Sequence, residues 1–169
     1  MGLCVSKPSY IASAAGGERD YQDRFLESKT LGQGEFGVVK LVHDVKNKDL
    51  IGAKPLAVKY LKKGYTFRDN TLYTPLKKEV LQGEVEILRI LNGECYNLKL
   101  VAVYESSSVI YMVTEYCEGG EMVPWVSDAF SGTGGLRTED VSRVCYQLWS
   151  AVDHCARHRV IHRDIKPGE

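Results

Sequence analysis

Leu31-Gly32-Gln33-Gly34-Glu35-Phe36-Gly37-Val38-Val39 lies between two apolar, strand-like runs, and its reading decides the fold. Three glycines at this spacing let a hairpin close tightly over an anion, because no Cβ holds the backbone N–H groups away from phosphate oxygens. Phe36 is expected at the tip, with Leu31 and Val39 facing each other across a flat ligand such as adenine. The same glycines also occur in dinucleotide-binding turns and in plain tight hairpins. A dinucleotide-binding turn requires a helix directly after it. Here Val38-Val39-Lys40-Leu41-Val42 continues as a β-rich run, which predicts a nucleotide lying under a hairpin.

Outward from the loop, residues 25–44 read as the hairpin itself, and Leu56-Ala57-Val58-Lys59-Tyr60-Leu61 as a third strand. By alternation Ala57 and Lys59 share one face, opposite Val58 and Tyr60. A small residue beside a lysine suits a site where the base needs room and the phosphates need a cation. Thr74-Pro75 reads as a helix start, with Thr as N-cap and Pro at the first helical position. The apolar stripe is Val80, Leu81, Ile87, Leu88 and Leu91, and Asn92-Gly93 ends the helix. Glu84 falls inside that stripe, whereas Glu86 has a mostly polar face. A carboxylate on a buried helix face is costly unless paired, and Lys59 is the expected partner of Glu84. Gly83, mid-helix, costs about 1 kcal/mol against Ala and has no evident purpose.

Leu98 to Glu105 and Val109 to Tyr116 read as two more strands joined at Ser106-Ser107-Ser108, giving a lobe of five strands and one helix. Glu118-Gly119-Gly120-Glu121 breaks the pattern as a hinge would. A short helix is expected from Met122 to Phe130 and a loop from Ser131 to Gly135. Thr138 reads as the N-cap of a longer helix with the stripe Val141, Val144, Leu148, Ala151, Val152 and Cys155. His154 and His158 stand at i,i+4 with no Glu between them in a zincin pattern, so no metal site is assigned.

The chain has 169 residues, 44% apolar and 26% charged, with zero net charge. This fits one globular domain and gives no general pull toward nucleic acid. Five scattered cysteines with no CxxC pair point to a reducing, cytoplasmic setting rather than a disulfide framework or zinc site. No apolar run approaches membrane-spanning length. Met1-Gly2-Leu3-Cys4-Val5-Ser6-Lys7 matches an N-myristoylation pattern at Gly2, with Cys4 placed for palmitoylation. Two acyl chains would hold the protein at the cytoplasmic face of a membrane. Residues through Gly16-Gly17-Glu18 read as a linker, and 1–24 as a flexible tail.

The last run is Val160-Ile161-His162-Arg163-Asp164-Ile165-Lys166-Pro167-Gly168-Glu169. An Asp after a short apolar strand, beside basic residues, suits a carboxylate that orients or deprotonates a hydroxyl near a phosphate. Lys166 is placed to offset charge on the transferred group. Glycine loop, Ala57-x-Lys59, Glu84 and this string, in that order, resemble the eukaryotic protein kinases from about Phe25 to Pro167. The resemblance implies a two-lobed α+β fold: an N-lobe at 25–114, a hinge at 115–121 and the start of a C-lobe at 122–169. It implies that Gly32, Gly34 and Gly37 cover the ATP phosphates and that Lys59, paired with Glu84, holds the α/β-phosphates. Thr114 would be the gatekeeper, the backbone of Glu115 and Cys117 would meet adenine, and Glu121 would lie near the ribose. Asp164 would be the catalytic base and Lys166 would touch the γ-phosphate. ATP and magnesium are the implied cofactors, and a protein substrate the implied partner. Lys166 within HRDIKP is similar to the serine/threonine class, and the Glu-Tyr-Cys-Glu-Gly-Gly-Glu hinge to the calcium/calmodulin-dependent group and calcium-dependent kinases.

Two departures stand beside the match. The family continues HRDxKPxN with Asn as a magnesium ligand, and here that position is Glu169. The sequence has no DFG segment, and 63–72 is longer than in most relatives. Without either metal ligand the 169-residue polypeptide is expected to transfer no phosphoryl group and to leave the stripe from Val141 open to solvent. A Gly-Glu pair encoded GGT GAG would fit intron read-through and a true product that continues. The alternative reading is a catalytically inactive, kinase-like binding or regulatory module.

Overall fold

A computed structural model describes residues 14–34, 37–46, 54–63, 66–68, 71–73 and 78–166. The described residues up to Arg89, with Leu100–Tyr116, form one compact unit; Ile90–Lys99 and the described residues from Cys117 onward form another. Phe36, the Thr74-Pro75 start, the acylation motif and Pro167 to Glu169 lie outside the described residues.

The first unit is an antiparallel sheet of five strands: β1 (Phe25–Gly34), β2 (Gly37–Asp44), β3 (Leu56–Lys62), β6 (Leu100–Glu105) and β7 (Val109–Glu115). Their spatial order is β1-β2-β3-β7-β6, so the late strand β7 lies beside β3. Between β3 and β6 in the chain come a small hairpin, β4 (Thr66–Arg68) and β5 (Thr71–Tyr73), and helix α2 (Lys78–Leu91). The β4–β5 hairpin was not foreseen in the long stretch before the helix.

Alternation sorts the strands into two cores, one per face of the sheet. Leu61, Ile110, Met112 and Val103 pack with Leu81 and Val85 of α2. Val42, Val58, Tyr104, Tyr111 and Val113 make the other core with Phe25 and Tyr21. β7 serves both, which is why Ile110 to Thr114 are all buried. The expected face of α2 is corrected by one position. Val80 and Ile87 are 51% and 39% exposed, while Val85, absent from the expected stripe, is fully buried. The buried line is Leu81 and Val85, with Leu88 partly buried against the same core, and Glu84 sits beside it.

Residues 14–24 are not the flexible tail that their composition suggests. Helix α1 (Glu18–Gln22) follows the double glycine, and its Tyr21 is 1% exposed. The Asp20 carboxylate accepts the Gly17 N–H at 2.8 Å, which closes the first turn. A Cβ on Gly16 would fall 2.8 Å from that of Asp20, so the close approach needs glycine there. Polar residues hid the element because one aromatic, not a stripe, anchors it.

In the second unit α3 (Met122–Thr133) runs past the predicted loop start and ends on Gly134 at φ 78°. Pro124 falls in its first turn, where a missing N–H is tolerated. α4 (Thr138–Arg157) is capped by Arg137, not Thr138. Arg137 makes no side-chain cap bond; its guanidinium holds Asp140 at 2.8 Å instead. Along the α4 stripe Cys155 is buried and donates to Asn97 at 3.3 Å, while Val141 and Leu148 stay 42% and 47% exposed.

Candidate functional site

In antiparallel pairs, directly opposed residues point to the same face. One row across the first unit runs Gly32, Val39, Lys59, Met112 and Val103. The next runs Leu41, Ala57, Thr114 and Leu100. Both rows lie on the α2 side of the sheet, where Met112 and Val103 join the core with Leu81 and Val85. Ala57 and Thr114 are 8% and 6% exposed, and the Thr114 hydroxyl donates to the Glu115 carbonyl at 3.1 Å.

Lys59 Nζ donates to Glu84 Oε1 at 2.5 Å. Glu86 instead takes Arg89, one helical turn on, at 2.7 Å. A second lysine just beyond β3 gives a useful contrast. Lys63 pairs with Glu105, and the two side chains are 4% and 5% exposed. The Lys59 and Glu84 side chains are 30% and 31% exposed. Half-exposed ion pairs add about 0–1 kcal/mol, whereas breaking a buried one costs about 3–5 kcal/mol. Lys63–Glu105 is therefore the structural pair. Lys59–Glu84 contributes little stability and leaves an ammonium group accessible to a ligand.

The glycines divide in the same way. Gly37 has φ 144°, and a Cβ there would come 1.9 Å from the Tyr60 carbonyl oxygen, so the fold itself excludes any other residue. A Cβ on Gly32 would meet nothing within 4 Å. No packing demand explains Gly32, and the open space fits backbone approach by a ligand. Leu31 falls in the register shift between Thr30 and Gly32, and Gly34 pairs with Gly37.

In the second unit Asp164 is exposed and receives Lys166 Nζ at 2.7 Å. That bond holds the Asp164 carboxyl below its ordinary range. The Asp164 N–H reaches His162 Nδ1 at 3.4 Å. Arg163, between them, has φ 72°, a left-handed conformation that non-glycine residues adopt at a cost. Cys117 and Glu121 are exposed, with Glu121 at the N-cap position of α3.

A profile described as protein kinase domain matches residues 25–169. The chain belongs to the protein kinase domain family. It is 32% identical over 98% of its length to serine/threonine-protein kinase SIK2 of Gallus gallus. It is also 32% identical over 85% to CBL-interacting protein kinase 9 of Oryza sativa subsp. japonica. Calcium-dependent protein kinase 8 of the same plant is 28% identical over 98% of the chain. The protein kinase domain chain spans 19% of the first relative's length and 28% of the other two.

The residues present fit ATP on the side of the first unit: open space at Gly32, a small buried Ala57 and an accessible ammonium. Magnesium is different. Among the described residues no group of three or more His, Cys, Asp or Glu could hold a metal ion, so no step is assigned to it. Besides the β4–β5 hairpin, sequence reasoning missed the Lys63–Glu105 pair and the segment carrying Tyr21. The first gave no local signal; the second had a single aromatic after two glycines.

Proposed function

We propose that this protein kinase domain binds ATP and belongs to an enzyme that phosphorylates serine or threonine hydroxyls of proteins. The Lys59–Glu84 pair carries the reading, because it is too exposed to add much stability and Lys59 lies in the same cross-strand row as Gly32. In this reading Gly32, Gly34 and Gly37 cover the phosphates, with Phe36 at the tip and Leu31, Val39 and Ala57 against the base. Thr114, the backbone of Glu115 and Cys117, and Glu121 complete the nucleotide contacts. ATP supplies the phosphoryl group. Lys59 fixes its α/β-phosphates and Glu84 fixes Lys59. Asp164, kept ionised by Lys166, accepts a hydrogen bond from the substrate hydroxyl and aims it; Lys166 then offsets charge on the γ-phosphate.

Equilibrium binding of a fluorescent ATP analogue tests the nucleotide half. Lys59→Met should weaken binding about tenfold or more, equivalent to about 1.4 kcal/mol. Binding unaffected by Lys59→Met would remove the reading. Radiolabelled transfer to a serine peptide, abolished by Asp164→Ala, tests the second half.

A non-catalytic module that binds nucleotide or a kinase's partners is the second reading. Glu169 at the family's Asn position favours it. Nucleotide binding without transfer would select it.

Acylation at Gly2 and Cys4 would place the domain at the cytoplasmic face of a membrane, and the sequence pattern supports this. Among the described residues no helix is long and apolar enough to cross one. With Ala14 packed on the lobe, the intervening chain would reach about 40 Å at full extension. Co-sedimentation with anionic vesicles after enzymatic myristoylation, compared with Gly2→Ala, tests it.

A further inference from the structure

The segment 14–24 touches the first unit on three sides. At the sheet edge, the Ala15 N–H donates to the Val103 carbonyl at 2.7 Å, and the Glu105 N–H to the Gly16 carbonyl at 2.9 Å. These bonds cover part of an open β6 edge. On the α2 side, Ala14 packs against the core that holds Leu81 and Val85, the neighbours of Glu84. On the other side, Tyr21 is enclosed by Phe25, Tyr60, Tyr104 and Tyr111, with centroids 4.5–6.3 Å apart. Its hydroxyl reaches Glu27 at 3.2 Å and Tyr60 at 3.3 Å.

The geometry of these contacts bears on one place. Tyr60 is the chain neighbour of Lys59, and Tyr111 is its cross-strand partner on β7. Val103, gripped at the edge, belongs to the same core as Val85, the chain neighbour of Glu84. A half-exposed ion pair cannot hold β3 and α2 in register by its own strength. The packing around it must do so, and the segment 14–24 contributes to that packing at both partners.

We propose that residues 14–24 are a strap whose docking positions the Lys59–Glu84 pair, with Tyr21 and Ala15 as positioning residues. Displacing the strap, by whatever binds the chain ahead of it, then loosens the pair and weakens nucleotide handling. The functional part rests on the reading of Lys59 and Glu84 given above; the coupling itself does not.

The test uses the whole chain without nucleotide. Lysines are acylated with a limiting amount of an amine-reactive ester, and the sites are quantified by peptide mass spectrometry. An amine that donates its protons to a carboxylate is a poor nucleophile, so release from Glu84 speeds the modification of Lys59. Exposed Lys62 on the same strand is the internal reference. In Tyr21→Ala the Lys59/Lys62 ratio should rise about 5- to 10-fold, within the range of intersite coupling. Tyr21→Phe, which keeps the ring, should stay at the wild-type ratio. An unchanged ratio in Tyr21→Ala overturns the proposal. If amide protection in β7 shows that Tyr21→Ala no longer folds, Ala15→Pro replaces it. That variant removes the Ala15 N–H that bonds Val103 and keeps the Tyr21 ring, and an unchanged ratio there overturns the proposal equally. A raised ratio in a chain that fails to bind ATP would keep the strap and discard the kinase reading.

Discussion

The Tyr21 ring stacks on Tyr111 with centroids 4.5 Å apart and planes 21° from parallel, so a residue from before the first strand belongs to the centre of the lobe. Burial raises the Tyr21 hydroxyl well above its ordinary pKa, and it pushes Tyr111 up to about 12. Both rings therefore stay neutral throughout the usual working range. Tyr21→Ala should cost about 3–5 kcal/mol in urea denaturation, as for other large buried aromatics. Tyr21→Phe should cost about 1 kcal/mol, the worth of its hydrogen bonds. A loss below 1 kcal/mol for Tyr21→Ala would show that the segment merely lies on the surface.

Lys63 and Glu105 make the opposite prediction to Lys59 and Glu84. Lys63→Met leaves a buried carboxylate facing an apolar side chain and should destabilise by about 3–5 kcal/mol. Lys63→Met combined with Glu105→Leu should recover most of that loss. Lys59→Met and Glu84→Gln should each change stability by less than about 1 kcal/mol. Equal losses at the two lysines would contradict the division of labour drawn here.

The predictions for the glycines differ in sign. Gly83 is helical, and a Cβ there meets nothing within 4 Å, so Gly83→Ala should stabilise by about 0.5–1 kcal/mol. Gly37→Ala must push the Tyr60 carbonyl aside and should break the β2–β3 pairing at that end. Thermal melting of both variants settles the pair of signs.

Acid should act on the Glu27 cluster. Burial alone would raise the Glu27 carboxyl, but hydrogen bonds from Lys40, Tyr60 and Tyr21 outweigh it and hold the group below its ordinary range. A carboxyl depressed in the folded state stabilises fully above its unfolded value and loses that contribution as pH falls through the folded one. Wild-type Tm should therefore drop below about pH 4.5, and Glu27→Gln should show a shallower drop over the same window. Parallel curves would refute the assignment.

Much of this was legible in the sequence because period-2 alternation and a carboxylate inside a helical stripe are strong local signals. They located the five strands and paired Lys59 with Glu84 rather than Glu86. Element ends were less legible. Thr138 reads as a cap by type, yet Arg137 takes the place, since the chain direction before the helix decides which residue is extended. Val85 was missed and Val80 over-read because a helix stripe read without its sheet is uncertain by one residue. Tyr21 was illegible for a different reason: besides the nearby Phe25, its burial depends on three tyrosines contributed by distant strands.

The position of β7 between β3 and β6 also sets the order of events on the ribosome. Tyr60 has Tyr111 as its partner, so β3 emerges and waits while the hairpin, α2 and β6 are made. Such non-local pairing is slow and leaves apolar strand faces uncovered meanwhile. Until Ile110 and Val113 are synthesised, Leu61 and Val58 lack their β7 partners, and both cores of the lobe stay incomplete.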